Sequence, residues 1–161
     1  MISVKRAVQI VTDNVNTLEM AVMDISDVLG YFLAEDVVSD MNMPPFNRSA
    51  MDGYALIADD TLGCPVDLEV VETISAGRKP ERILKTGQAA RIMTGAIVPD
   101  GADSVIMVEN TESIGNWGKV RVLEQIKKGK NIAIMGEDIR KGQVVLRKGT
   151  RLRPQEIGVL A

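Results

Sequence analysis

The chain has 161 residues, 19 Lys and Arg against 22 Asp and Glu for a formal charge of -3, no histidine, and one cysteine, Cys64. The absence of histidine excludes Ser/His/Asp triads, histidine-ligated zinc and imidazole proton shuttles, and a single cysteine excludes an intrachain disulfide framework and points to a reducing compartment such as the cytoplasm. The acidic balance supplies no basic field for nucleic acid, and no apolar run reaches the length of a membrane span or signal peptide core, so neither partner is expected.

In chain order, Val4, Ala7, Val8, Val11 and Val15 recur at helical spacing behind Ser3, which predicts an amphipathic helix over 3–15 capped by Ser3. A second short helix is expected after Ser26, with Val28, Leu29, Phe32 and Leu33 as its apolar stripe and Gly30 weakening it. Residues 33–38 then read as a strand. Pro44-Pro45 forbids regular helix, and Asp52-Gly53 is the next turn signal. Short β-like runs follow at Val66–Ile74, Gln88–Met93, Ser104–Val108 and Lys119–Leu123, separated by Gly and Pro turns, a pattern suited to a small β-barrel or sandwich. Trp117 falls in a Gly-Asn-Trp-Gly hairpin turn with no catalytic part expected. Further short strands are expected at Ile132–Met135, Val144–Leu146 and Thr150–Leu152, and Pro154 opens a final helical pattern with no C-cap. That uncapped pattern leads to the expectation that more chain follows Ala161.

Three segments could carry chemistry. In Pro44-Pro45-Phe46-Asn47-Arg48-Ser49-Ala50-Met51-Asp52-Gly53-Tyr54-Ala55, prolines stiffen the approach and the Asp52-Gly53 reversal fixes a carboxylate, which could ligate a hard cation or simply be solvated. Arg91-Ile92-Met93-Thr94-Gly95-Ala96 ends a strand with a hydroxyl and backbone N–H groups that could receive an anion, or it is only a bend at Gly95. Gly136-Glu137-Asp138-Ile139-Arg140-Lys141-Gly142 is a charged turn whose carboxylates could join a site or stay solvated. Arg48 and Arg91 are candidate anion clamps, and equally candidate ion-pair partners.

Together, Pro45 through Ala55, Arg91 through Ala96 with Pro99-Asp100-Gly101-Ala102-Asp103, and Asn131-Ile132 through Gly136-Glu137-Asp138-Ile139 resemble the MoeA family of molybdenum-cofactor biosynthesis. The E domain of gephyrin belongs to the same family. Lys148-Gly149-Thr150-Arg151-Leu152 is also similar, so the resemblance spans essentially the whole chain.

The resemblance implies an α+β, mostly β fold like the MoeA N-terminal region. Residues 1–42 and 131–161 would form a discontinuous linker and dimerisation domain with N-terminal helices and β hairpins. Residues 43–130 would form an inserted small β-barrel-like domain. It further implies insertion of molybdate into adenylylated molybdopterin with release of AMP and a requirement for a divalent cation, Mg2+. By the same resemblance Asp52, Thr94 and Asp138 are catalytic positions, Ser49, Arg48 and Gly95 are substrate-binding, and Asp52 is the metal ligand. A homodimer is implied, with the molybdopterin adenylyltransferase as a further partner. The pterin-binding and C-terminal domains are absent from the sequence, so this piece is expected to supply one wall of an intersubunit site and to be inactive alone. The alternative is a non-catalytic dimerisation or scaffold module of a gephyrin-like protein.

Overall fold

The computed structural model describes residues 2–115 and 118–161; the readings made for Asn116 and Trp117 lie outside the described residues. In chain order the elements are α1 (Val4–Asn14), β1 (Val37–Val38), β2 (Arg48–Ser49), β3 (Gly53–Leu56), β4 (Val66–Ile74) and β5 (Gln88–Ile92). They continue with β6 (Ser104–Met107), β7 (Thr111–Ile114), β8 (Lys119–Val122), β9 (Ile132–Ala133), β10 (Val144–Leu146) and α2 (Pro154–Leu160). The chain divides into two compact units, Met1–Val37 with Val144–Ala161, and Val38–Gln143.

In the first unit α1 forms as its spacing predicts, and the Ser3 hydroxyl accepts the Arg6 amide at 3.2 Å, satisfying one of the orphan donors of the first turn. None of the residues of α1 is buried. Its apolar stripe of Val4, Val8 and Val11, continued by Val15, is open to solvent, each of these side chains being more than half exposed.

The helix expected after Ser26 does not form. Only a single 3-10 turn, Ile25–Asp27, is present, capped by the Asp24 carboxylate on the Ser26 amide. Gly30 then takes φ +89°, a left-handed conformation that ends any helix. The backbone from Gly30 to Leu33 pairs instead with residues 149–152. Gly30 N–H donates to Leu152 O, Leu152 N–H to Tyr31 O and Leu33 N–H to Thr150 O. Helical spacing in Val28–Leu33 was overridden by these long-range hydrogen bonds, and the strand expected at Thr150–Leu152 contracts to a bridge between Arg151 and Phe32. α2 starts at Pro154 with a capping box in which the Glu156 carboxylate accepts the Arg153 amide at 3.0 Å.

The second unit holds a six-stranded sheet in the order β6-β3-β5-β4-β8-β7, curled into a half-barrel. All pairs are antiparallel except β4 with β5, and β4 carries a register shift between Val70 and Glu72. β3 is buried at every position because the pleat sends alternate residues into two apolar clusters. Tyr54 and Leu56 join Leu68, Ile106, Val120 and Val122, while Ala55 joins Ile74, Ile92 and Val105. Few aromatics are needed, because small residues at Ala55, Ala89 and Ala90 let the strands and their covering loops pack closely. A two-stranded ladder of β2 and β9 completes the unit, pairing Arg48 with Ala133 and Ser49 with Ile132.

Candidate functional site

The candidate site is created by strand register. β3 and β5 run antiparallel with Gly53 opposite Ile92 and Tyr54 opposite Arg91. Asp52, just before β3, and Thr94, just beyond β5, therefore emerge at the same end of the sheet. Asp52 Oδ1 accepts both the Thr94 amide and the Thr94 hydroxyl, each at 2.7 Å. Among the described residues no donor reaches Oδ2. The carboxylate is exposed, and its pKa lies below the ordinary value, chiefly because the Thr94 amide and then the Thr94 hydroxyl stabilise the anion. The positive charge of Arg91 lowers it further.

The backbone under Asp52 is fixed as well. Val108 N–H donates to Asp52 O at 3.0 Å. Gly53 lies so close to β6 that a Cβ there would sit 1.8 Å from Ile106 O. Only glycine admits this approach, so Gly53 is required by packing between strands; the tight reversal expected at Asp52-Gly53 gives way to the start of β3, where Gly53 has no positive φ.

Ser49 is buried at 1% exposure. Its hydroxyl donates to Met51 O at 2.5 Å and accepts the Met51 amide at 3.3 Å. That hydroxyl braces the turn leading to Asp52 and is turned away from solvent. The expectation of open N–H groups in Thr94-Gly95-Ala96 is corrected by the structure. The Thr94 amide is held by Asp52, Gly95 N–H donates to Ser49 O at 2.8 Å, and Ala96 N–H donates to Met93 O at 3.0 Å. The segment is a latch joining β2 to β5, since every N–H that could have received an anion already has a protein acceptor.

Arg48 and Arg91 differ sharply. Arg48 is exposed on β2, and among the described residues no ion pair holds its side chain. Arg91 is half-buried, with its guanidinium carbon 5.0 Å from the centre of the Tyr54 ring and one N–H donated to the Tyr54 hydroxyl at 3.2 Å.

Asp138 lies in the turn after β9 and is exposed. Its amide donates to Met43 O at 3.0 Å, Gly136 N–H donates to Pro44 O at 2.9 Å, and Met135 N–H donates to the Asn47 side chain at 2.8 Å. The proline-braced loop and the Gly136–Ile139 turn are thus stitched together. Among the described residues no hydrogen bond joins Asp138 to the Asp52–Thr94 pair. The structure brings together Asp52, Thr94, Gly95 and Ser49, and leaves Asp138 in a neighbouring turn of the same unit. Tyr54 was not singled out in the sequence. Its signal was the two-residue spacing from Asp52, which puts both on one face of the strand.

A magnesium ion fits this donor set only in part. The site offers one free carboxylate oxygen and a hydroxyl oxygen, and the described residues contain no group of three side chains able to cage a metal. Mg2+ commonly accepts one or two carboxylates and completes its shell with water and substrate phosphates, so Asp52 suits it as a single protein ligand beside an anionic substrate.

These features define a half-barrel β domain with a locked, exposed carboxylate at one end of its sheet. The family described as MoeA N-terminal region (domain I and II) matches residues 2–161, and the chain belongs to that family. It is 43% identical over 143 residues to a molybdopterin molybdenumtransferase of Bacillus subtilis, covering 85% of this chain and 33% of that protein. A molybdopterin molybdenumtransferase of Staphylococcus epidermidis is 37% identical over 164 residues, covering 99% of this chain and 39% of the relative. The crystal structure of a molybdopterin biosynthesis MoeA protein from Pyrococcus horikoshii OT3 superposes with a TM-score of 0.90 at 40% identity, covering 97% of this chain and 42% of that one. The chain spans about two-fifths or less of the length of these relatives.

Proposed function

We propose that this chain is the N-terminal part of a molybdopterin molybdenumtransferase, and that it supplies one wall of the site at which molybdate is inserted into adenylylated molybdopterin. The observation that carries the reading is the Asp52–Thr94 lock, which holds one carboxylate oxygen in place and leaves the other open at the end of a rigid sheet. Adenylylated substrate and molybdate are both anionic, so an ionised Asp52 would repel them unless a cation intervened. Asp52 Oδ2 is the proposed protein ligand for Mg2+, which would supply charge neutralisation at the phosphate oxygens. Thr94 keeps the carboxylate ionised and aimed, and Ser49 and Gly95 brace the turn behind it. Asp138, in the turn after β9, and Arg48, on β2, are proposed to line the same cleft. The domain division proposed from the resemblance, 1–42 with 131–161 and an inserted 43–130, goes with this reading.

The proposal includes a cytoplasmic homodimer that works beside the molybdopterin adenylyltransferase. Cys64 is a free thiol, in keeping with a reducing compartment. No helix among the described residues is long and apolar enough to cross a membrane. In a full-length enzyme containing this region, Asp52→Asn is expected to lower molybdenum insertion by about two orders of magnitude, the scale for losing one group that acts on developing charge. Its unfolding temperature should stay near wild type. Wild-type turnover in the Asn variant would remove Asp52 from the mechanism.

The second reading, a dimerisation or scaffold module without catalysis, is favoured by one observation, the solvent-facing apolar stripe of α1. Full activity loss in Asp52→Asn argues for the enzyme reading; no detectable insertion even by the wild-type full-length protein argues for the scaffold.

A further inference from the structure

A guanidinium in a folded domain usually meets a carboxylate, because its charge is otherwise uncompensated and its five N–H donors need acceptors. Arg91 departs from this pattern. It is half-buried on β5, a strand paired on both sides, with Tyr54 of β3 and Thr73 of β4 as its cross-strand neighbours. Its side chain lies over the ring of Tyr54, which is only 3% exposed, and gives one N–H to the Tyr54 hydroxyl. Among the described residues it takes part in no ion pair and makes no other side-chain hydrogen bond. The tyrosine acts as a platform: the ring face attracts the cation while the hydroxyl fixes its orientation. The remaining donors of the fork are left for something else.

The strand register puts this cation on the face that also carries Asp52, two residues before Tyr54. We propose that Arg91 is an anion-binding residue of the Asp52–Thr94 site, receiving one tetrahedral oxyanion on the donors that Tyr54 leaves unused. The ligand class is a phosphate group of a nucleotide or a free oxyanion of the same shape and charge, such as molybdate. This rests on the proposed function for the identity of the substrate, but its test does not. Of the two candidate clamps, Arg91 is the one that has an aromatic platform among the described residues, and a side chain held in this way loses little entropy on capturing a ligand. It also gives the site a permanent positive charge beside its carboxylate, so that an anion could dock before or without a metal.

The test is a titration of the chain with sodium molybdate, inorganic phosphate and AMP in turn, following the Arg91 Nε–Hε resonance and the amides of 50–56 and 91–96 by NMR. Wild type should show saturable shifts at Arg91 with at least one probe. Tighter binding of AMP than of phosphate would assign the site to a nucleotide, and equal or tighter binding of molybdate to the free oxyanion. Arg91→Gln should weaken binding by about tenfold, the scale of one charge-assisted contact. Arg91→Lys, which keeps the charge and loses the fork, should fall between. No shift at Arg91 with any of the three probes overturns the inference, as does wild-type affinity in a folded Arg91→Gln chain. If Arg91→Gln fails to fold, the wild-type titration alone decides. Because the readout is binding and not turnover, an active Asp52→Asn full-length enzyme would end the mechanistic reading and leave this result standing.

Discussion

Asp52 and Thr94 are 42 positions apart, yet one carboxylate oxygen of Asp52 accepts both the amide and the hydroxyl of Thr94 at 2.7 Å. The pair closes the open end of the β3–β5 ladder. It also sets the charge of Asp52, because hydrogen bonds to a carboxylate favour its ionised form.

Thr94→Val tests that relationship with little change in shape. The amide bond to Asp52 remains and the hydroxyl bond is lost, so the Asp52 pKa should rise toward its ordinary value while staying below it. With the folded-state pKa depressed, the contribution of this carboxylate to stability is present above its unfolded pKa and disappears as pH falls through the folded value. The Val variant should lose it at a higher pH. Carboxyl carbon NMR of Asp52 across the acid range gives the answer, and an unchanged titration in Thr94→Val would show that the hydroxyl bond is unimportant.

Gly53→Ala and Gly95→Ala separate two reasons for glycine. At Gly53 the added methyl would lie 1.8 Å from the backbone oxygen of Ile106, and a backbone atom cannot step aside. Destabilisation of about 3 kcal/mol or more is expected, at the severe end of overpacking. Gly95 has φ +81° and open space around it, so alanine there meets only the left-handed backbone penalty of about 1–2 kcal/mol. Urea unfolding of both variants measures the difference. Equal losses would mean that the β3–β6 approach is looser than the structure shows.

How far the sequence foretold the molecule depends on the range of the interactions. α1 was legible because its stripe and Ser3 cap are local. The core strands were legible as short β-like runs between Gly and Pro turns, as in Val66–Ile74. Asp52 was legible as a fixed carboxylate, although what fixes it is the Thr94 lock and the close packing of Gly53 on β6 and not a local Asp-Gly turn. The partner of Asp52 was not fixed by spacing, because β3 meets β5 through a register that no local pattern encodes. The same gap explains Gly95, whose amide is open by local pattern and is taken by Ser49 O of β2 in the fold. It explains Phe32 and Leu33 too, whose helical spacing yielded to hydrogen bonds with residues near 150. The platform under Arg91 was missed because it requires knowing which strand is the neighbour.

The N-terminus of α2 should be acid-sensitive. The Glu156 carboxylate accepts the Arg153 amide and two guanidinium N–H groups, and it is held below its usual pKa first by the side-chain bond from Arg153. A depressed carboxylate stabilises above its unfolded pKa and ceases to as pH falls through the folded one. The helix should therefore fray as pH falls below the ordinary glutamate range. Glu156→Gln should fray at neutral pH as well, because the neutral amide gives up the charge attraction. Amide exchange rates at 156–160 report it, and protection in the Gln variant equal to wild type would show that the carboxylate charge adds nothing to the helix.

The apolar stripe of α1 carries the last prediction. An isolated helix of 11 residues is marginal in water, and most helical stability comes from burying an apolar face. Here Val4, Val8, Val11 and Val15 are exposed, so among the described residues nothing covers the stripe. The homodimer included in the proposed function offers one: a second copy could cover these valines. Val8→Glu and Val11→Glu place charges in the middle of the stripe without lowering helix propensity, since glutamate is the better helix former. Sedimentation of the wild-type chain should show a dimer whose dissociation constant rises by at least about tenfold in the double variant, the consequence of burying charge at an apolar contact. The unfolding of the half-barrel unit, to which α1 does not belong, should be unchanged. A wild-type chain that sediments as a monomer at high concentration, or a double variant that dimerises equally well, would remove α1 from the dimer contact.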